Sequence, residues 1–288
     1  MPDLSYESIE MNTVHGPFEY RWRDRIERYL EAVGNGFAWH GEASPWGPGV
    51  APPAILGNAT LRFIDSIAPI PPATMHAKVD LQLTNALRRD RELMGYGQFE
   101  EKYERRGRRW FVFTARWRDG SGLLVGHAAV TMALAEQVET ADEPERRERR
   151  WKPGKAELEL PARTLTQEAI TAYAEDSANA LRGQSIHTDA ALAKRMGFPN
   201  SVAQGMMGGD YISELMTELF QRGWLLGGRL SLAFVRPAFC GDTLTAKASP
   251  RDDEEEGAFT RRVFDVWCEN QEGESVTVGT ASAVVPAG

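Results

Sequence analysis

The sequence predicts an α+β protein made of two similar units, each a long apolar helix set against a run of antiparallel strands. Three observations carry this. The order of features in the first half recurs in the second, a densely charged stretch separates the two copies, and apolar residues recur first at helical and then at strand spacing. A unit of that kind buries its helix by wrapping it in a curved sheet.

In the first copy, Y-L-E at 29–31 leads through Gly34 to His40, then to V-A-P-P-A at 50–54, then to an apolar, helix-like stretch. In the second, Y-A-E at 173–175 leads to His187, then to V-A-Q-G-M at 202–206, then to another apolar stretch. Each copy ends on a strand, a glycine-containing turn and a strand: W-R-D-G-S-G-L-L-V-G-H-A-A-V at 117–130, and W-C-E-N-Q-E-G-E-S-V-T-V-G-T-A-S-A-V at 267–284. Between the copies, eleven of the seventeen residues at 136–152 are charged, which reads as a solvated linker. The expected organisation is a first unit at 18–138, a linker at 139–154 and a second unit at 155–286.

The buried helix is clearest in the second unit. Met207, Tyr211, Ile212, Leu215, Met216, Leu219 and Phe220 recur at three-, four- and five-residue intervals, and Gly223 is expected to stop the run. Gly205, Gly208 and Gly209 at its start allow close backbone approach. Segments 230–234, 243–248, 260–268 and 275–285 are rich in β-branched and aromatic residues and read as strands. The acidic run 252–256 between two of them reads as a charged hairpin tip.

Composition narrows the function classes. With 33 Lys and Arg against 41 Asp and Glu, the net charge is −8, too acidic for a nucleic-acid or anionic-membrane binder. No apolar run approaches the roughly 18 residues of a membrane span, and the start of the chain lacks a signal-peptide pattern. Two cysteines, Cys240 and Cys268, support neither a disulfide framework nor a four-thiolate zinc site. The chain therefore reads as a cytoplasmic, metal-free protein.

Three spaced blocks carry a resemblance: S-I-H-T-D at 185–189 with Ala193 following, G-F-P at 197–199 with V-A-Q-G-M-M at 202–207, and F-V-R-P-A-F-C-G-D at 234–242. Together they resemble the MaoC-like hydratases, the (R)-specific enoyl-thioester hydratases and dehydratases of the hotdog fold. The resemblance is good over 165–285 and weak over 20–135, which fits the double-hotdog subgroup. It implies two long central helices wrapped by an antiparallel, continuous sheet. It also implies coenzyme A or acyl-carrier thioesters as substrates, no cofactor, no metal, and a homodimeric or hetero-oligomeric state.

The resemblance implies further that His187 exchanges protons with water and that the N–H of Gly205 holds the thioester oxygen. Such chemistry needs a base for the water proton, an acid for Cα and fixed donors for the enolate oxygen, and a helix N-terminus supplies such donors. An imidazole titrates in the required range. The carboxylate that the family places five residues before its histidine is missing. Aligned from the left, Asn179 stands there, with an insertion within 180–185; aligned from the right, Arg182 does. Asn179 can orient water but cannot take its proton, and Asp176 is the nearest carboxylate to substitute. Asp189 reads as the N-cap of the next helix. Gln184, Gln204, Met206, Tyr211 and Arg236 are expected to contact substrate; Arg229 and Arg236 read first as ordinary surface arginines, with coenzyme A phosphates as the alternative partner.

The first copy lacks these features. Asn35 replaces the carboxylate, and Pro53, which has no N–H, stands opposite Gly205. His40 is then a vestige, and Phe37, Trp39 and Trp46 either line a wide acyl cavity or pack as core. The expected function is hydration or dehydration of an enoyl or 3-hydroxyacyl thioester at one site in the second unit. The alternative is a non-catalytic thioester-binding or structural partner, and less favoured is a thioesterase on the same fold.

Overall fold

A computed structural model of the chain describes residues 2–41, 43–137, 151, 154–175 and 185–286. Most of the expected linker, together with Asp176, Asn179, Arg182 and Gln184, lies outside the described residues. Among the described residues, no helix is long and apolar enough to cross a membrane.

The first unit runs β1 (His15–Tyr20), α1 (Ile26–Val33), β2 (Ala43–Ser44), β3 (Gly47–Pro48), α2 (Ile55–Ile67), β4 (Met75–Leu83), β5 (Leu93–Arg105), β6 (Arg108–Asp119) and β7 (Leu124–Gln137). The second runs β8 (Leu158–Glu159), β9 (Arg163–Thr164), α3 (Gln167–Ala174), α4 (Ala190–Arg195), α5 (Gly205–Phe220), α6 (Arg222–Gly227), β10 (Arg229–Phe234), β11 (Thr243–Pro250), β12 (Glu254–Glu256), β13 (Phe259–Glu269) and β14 (Ser275–Pro286).

One antiparallel sheet joins the units in the order β1-β5-β6-β7-β4-β10-β14-β13-β11-β8, with β9 on β11 and β12 on β13. The seam is β4 against β10, where Asp80 pairs with Ser231 and Leu81 with Leu230. Side chains on neighbouring positions of a strand point to opposite faces. In β6 that alternation turns Phe111, Phe113, Ala115 and Trp117 inward. They meet α2 at Phe63, whose ring lies 5.4 Å from Phe113 and 6.1 Å from Trp117. Burying each such ring contributes about 1.5–3 kcal/mol.

Both long helices are buried along most of their length, so their polar groups need partners. In α2, Thr60 donates to the Leu56 carbonyl at 2.7 Å and accepts from Trp117 Nε1 at 3.0 Å. In α5, Glu214 receives a two-pronged contact from Arg163 at 2.5 and 2.8 Å, and Arg163 also donates to the Val33 carbonyl of the first unit at 3.0 Å. Asp210 accepts from Tyr173 at 2.6 Å and from Tyr29. The two tyrosines, one from each Y-x-E motif, stack at 5.4 Å.

Two sequence expectations need correction. Gly223 does not end the long helix: α5 stops at Phe220 because Gln221 adopts a left-handed φ of 47°, and α6 follows at once. Gly223 instead lets the chain pass β14, since a Cβ there would lie 2.1 Å from the Val284 carbonyl oxygen. The acidic run is not merely a tip. Glu254–Glu256 forms β12 on β13, anchored where Glu256 meets Arg261 at 2.6 Å and Arg229 at 3.3 Å.

The repeat read from sequence appears as repeated hydrogen bonds. Ala51 N–H donates to Leu87 O as Ala203 N–H does to Ala238 O, and Arg89 N–H to Gly49 O as Cys240 N–H to Ser201 O. Val50 bridges Arg88 as Val202 bridges Phe239.

Candidate active site

The site begins with the loop before α4. Asp189 caps α4 by accepting from the N–H groups of Ala191 and Leu192 at 2.8 and 3.0 Å. This is the cap role expected from sequence, and it occupies that carboxylate. The capped turn presents His187, whose Nδ1 lies 2.6 Å from the Val202 carbonyl oxygen. A carbonyl only accepts, so Nδ1 carries the proton and Nε2 keeps its lone pair. Burial pushes the imidazole below its usual 6.5, and the bond to Val202 partly opposes that shift, so the ring is neutral at neutral pH. Gln167 steadies the loop by donating to the His187 carbonyl at 2.9 Å. Among the described residues, no carboxylate is bonded to the ring.

The strand-like stretch through Val202 then delivers the start of α5. Met207 N–H turns back to Gln204 O at 3.0 Å, but among the described residues the N–H groups of Gly205 and Met206 have no partner. Gly205 is exposed there. These are the unpaired donors of a helix N-terminus, at the positive end of its dipole. Gln204 adds a buried side-chain amide whose nitrogen and oxygen both lack a hydrogen-bond partner among the described residues. A buried amide in that state costs stability, as do polar groups kept for a ligand.

Phe234 closes one side. A Cβ on residue 205 would meet its ring at 2.7 Å, so glycine is required there by packing as well as by access. The same ring meets His76 of β4, centroids 4.8 Å apart. Neither residue was singled out from sequence. Phe234 stood inside a recognised block, but its contact with a first-unit histidine depends on the β4–β10 seam, which leaves no local signal.

The side chains of the other residues expected to contact substrate have protein neighbours. Met206 is buried against α2, with its Cε 2.7 Å from where a Cβ on Gly57 would stand. Tyr211 is buried under Arg163, whose guanidinium lies 5.1 Å from its ring centre. Arg236 is half-exposed, donating to the Ser275 carbonyl at 3.2 Å and pairing with Glu274 at 3.4 Å. Arg229 pairs with Glu256 on the sheet's outer face. Both cysteine thiols are pushed up, chiefly by burial, away from the thiolate a nucleophile needs.

The first unit repeats the histidine but lacks one of the two donors. His40 Nδ1 lies 2.9 Å from the Val50 carbonyl oxygen, the same bond as in the second unit. Its ring is only 1% exposed, Nε2 has no partner among the described residues, and burial pushes its pKa down to about 4. Pro52 and Pro53 bring no N–H, and those of Ile55 and Leu56 are consumed by the carbonyls of Pro52 and Pro53, which leaves the buried Ala54, opposite Met206, as the one N–H at this turn without a partner among the described residues. Ala51, Pro53, Leu83 and Leu225 leave a void of about 10 Å³. Asn35 Oδ1 accepts from Phe37 N–H at 3.0 Å, which commits it to its own turn. Trp39 and Trp46 pack edge to face at 5.8 Å and lie partly buried against Val50, Ala86 and Leu225.

Comparison with known proteins agrees with this division. Residues 151–264 match the family model described as a MaoC like domain. A solved structure described as a MaoC-like dehydratase is 17% identical, with a TM-score of 0.72 over 99% of this chain and 100% of that one. The Drosophila melanogaster peroxisomal multifunctional enzyme type 2 is 15% identical, with a TM-score of 0.67 over 94% of this chain and 48% of its own. A Mycobacterium tuberculosis protein described as having a double hotdog fold is 12% identical, with a TM-score of 0.63 over 99% and 98%. At such identities the structural likeness is one of fold. No curated protein sequence matches. The chain has the double-hotdog fold, and its residues 151–264 are similar to the MaoC like domain.

Proposed function

We propose that the protein hydrates an enoyl thioester, or dehydrates the 3-hydroxyacyl thioester, at a single site in the second unit. The observation that carries this reading is the pairing of an accepting Nε2 on His187 with the unpaired N–H groups of Gly205 and Met206. The MaoC-like family match agrees with that chemistry.

In hydration, Nε2 takes a proton from water while the oxygen bonds to Cβ. The π electrons move to the thioester oxygen, where the two N–H groups stabilise the enolate. The imidazolium then returns its proton to Cα, so that one histidine serves as base and acid. The substrate is coenzyme A-linked or carrier-linked, and in this reading it supplies the partner that the buried Gln204 amide lacks among the described residues.

A second reading, a thioester-binding protein without turnover, draws on one observation: among the described residues no carboxylate is bonded to His187. An assay of crotonyl-, long-chain, aromatic and polyketide-like thioesters, followed by loss of the conjugated absorbance, separates the two. Turnover of any of them supports the hydratase. Binding of all without turnover supports the second reading, and release of free thiol would indicate a thioesterase.

A further inference from the structure

Phe234 is the last residue of β10, and its neighbours come from both units. A Cβ on Gly205 would meet Cδ1, Cγ and Cε1 of the ring at 2.7, 2.8 and 3.2 Å. The ring therefore lies against the backbone whose N–H would meet a thioester oxygen. On β14 the Phe234 backbone pairs with Thr277, but on the β4 side the ladder ends at Ala233 with Lys78. The imidazole of His76 lies beyond that end, its centroid 4.8 Å from the phenyl ring at 60°. His76 is itself held by Nε2, which lies 2.9 Å from the Lys78 carbonyl oxygen. The matching position in the first unit, counted from the shared bonds of Ala51 to Leu87 and Ala203 to Ala238, is Leu83, which lines the 10 Å³ void beside Pro53.

An oxygen seated on the Gly205 N–H stands about 2.7–3.1 Å from the nitrogen. The acyl Cα is two bonds from that oxygen, so a substituent on Cα has to share space with the phenyl ring. Close-packed rings give way poorly to one extra methyl.

We propose that Phe234 is the specificity-determining wall of this site, admitting enoyl thioesters with only hydrogen on Cα and rejecting 2-methyl-enoyl thioesters, and that His76 of the first unit is the positioning residue that holds the ring. The proposal rests on the reading of Gly205 as the donor to the thioester oxygen. It explains a retained first unit whose Pro53 lacks the N–H that Gly205 supplies.

The test is the ratio of kcat/KM for crotonyl-CoA to that for 2-methylcrotonyl-CoA in the wild type, Phe234→Ala, Phe234→Leu and His76→Ala. One methyl group in a fitted pocket discriminates by roughly 10–200-fold, so the wild-type ratio is expected in that range. Phe234→Ala should lower it at least tenfold, with Phe234→Leu and His76→Ala in between. Phe234→Leu installs the residue that the first unit carries and keeps an apolar core should the alanine variant not fold. If the variants lower both rates equally and leave the ratio unchanged, the ring is only structural and the proposal falls. If the wild type hydrates neither of these nor any of the long-chain, aromatic and polyketide-like thioesters, the hydratase reading falls separately. The wall is then read by calorimetry, as the affinity ratio of butanoyl-CoA to 2-methylbutanoyl-CoA. A ratio near one in the wild type, or one that the variants leave unchanged, overturns it.

Discussion

The Nδ1 of His187 and the carbonyl oxygen of Val202 are 2.6 Å apart, and this contact joins the proposed base to the segment that supplies the oxyanion donors. Val202 stands three residues before Gly205. The bond that selects the tautomer of His187 therefore also sets its distance from the start of α5. His40 makes the same bond to Val50, yet there the chain continues into two prolines.

That tautomer has a pH consequence. Neutral imidazole is the base, and burial lowers the His187 pKa from 6.5. The kcat/KM for crotonyl-CoA hydration should be flat through neutral pH and fall on acidification, with a midpoint below 6.5. A midpoint above 7 would contradict the assignment.

The two units should respond unequally to substitution. Gly205→Pro removes an N–H at the site and should abolish turnover, with far-ultraviolet circular dichroism checking that the fold survives. His40→Ala should leave kcat within a few-fold, because Pro53 lacks the N–H that Gly205 supplies in the second unit. Comparable losses of kcat in both variants would show that the first unit takes part in the chemistry.

His40 also predicts acid sensitivity. Its folded pKa is about 4, against about 6.5 in an unfolded chain, so between those values the unfolded state binds more protons. The contribution is fully present above pH 6.5 and is lost as pH falls toward 4. At about 1.4 kcal/mol per tenfold, that loss is on the order of 3 kcal/mol. Urea unfolding of wild type and His40→Leu across this window should show a shallower pH slope in the variant; identical slopes would exclude His40 as the source.

Tyr29 and Tyr173 share one buried acceptor. Tyr29→Phe and Tyr173→Phe should each destabilise by about 1–3 kcal/mol. Because both donate to Asp210, a double-mutant cycle should give a coupling of about 0.5–3 kcal/mol. Additive losses in denaturant unfolding would mean that the two hydroxyls act independently.

Much of this was legible in the chain. The strands of the second unit fall where β-branched residues cluster, and the Y-x-E motifs marked two equivalent helices. Asp189 capped as its spacing to Ala190 and Leu192 suggests. What escaped depends on contacts between units. That Tyr29 and Tyr173 converge on Asp210 follows from α1 packing on α3. Asn58, the α2 counterpart of Asp210, has no partner for its amide among the described residues, an asymmetry that no motif announces. Met206 and Tyr211 belong to a motif near the site, but helical geometry turns their side chains into the core. The stop at Gln221 rests on a left-handed residue with no glycine to signal it.

The most direct test of the account is the rate of crotonyl-CoA hydration by His187→Ala beside wild type. One histidine acting as base and acid should be worth on the order of 10²–10⁴-fold, with the variant still folded and still binding the thioester. Undiminished turnover by His187→Ala would contradict the catalytic assignment.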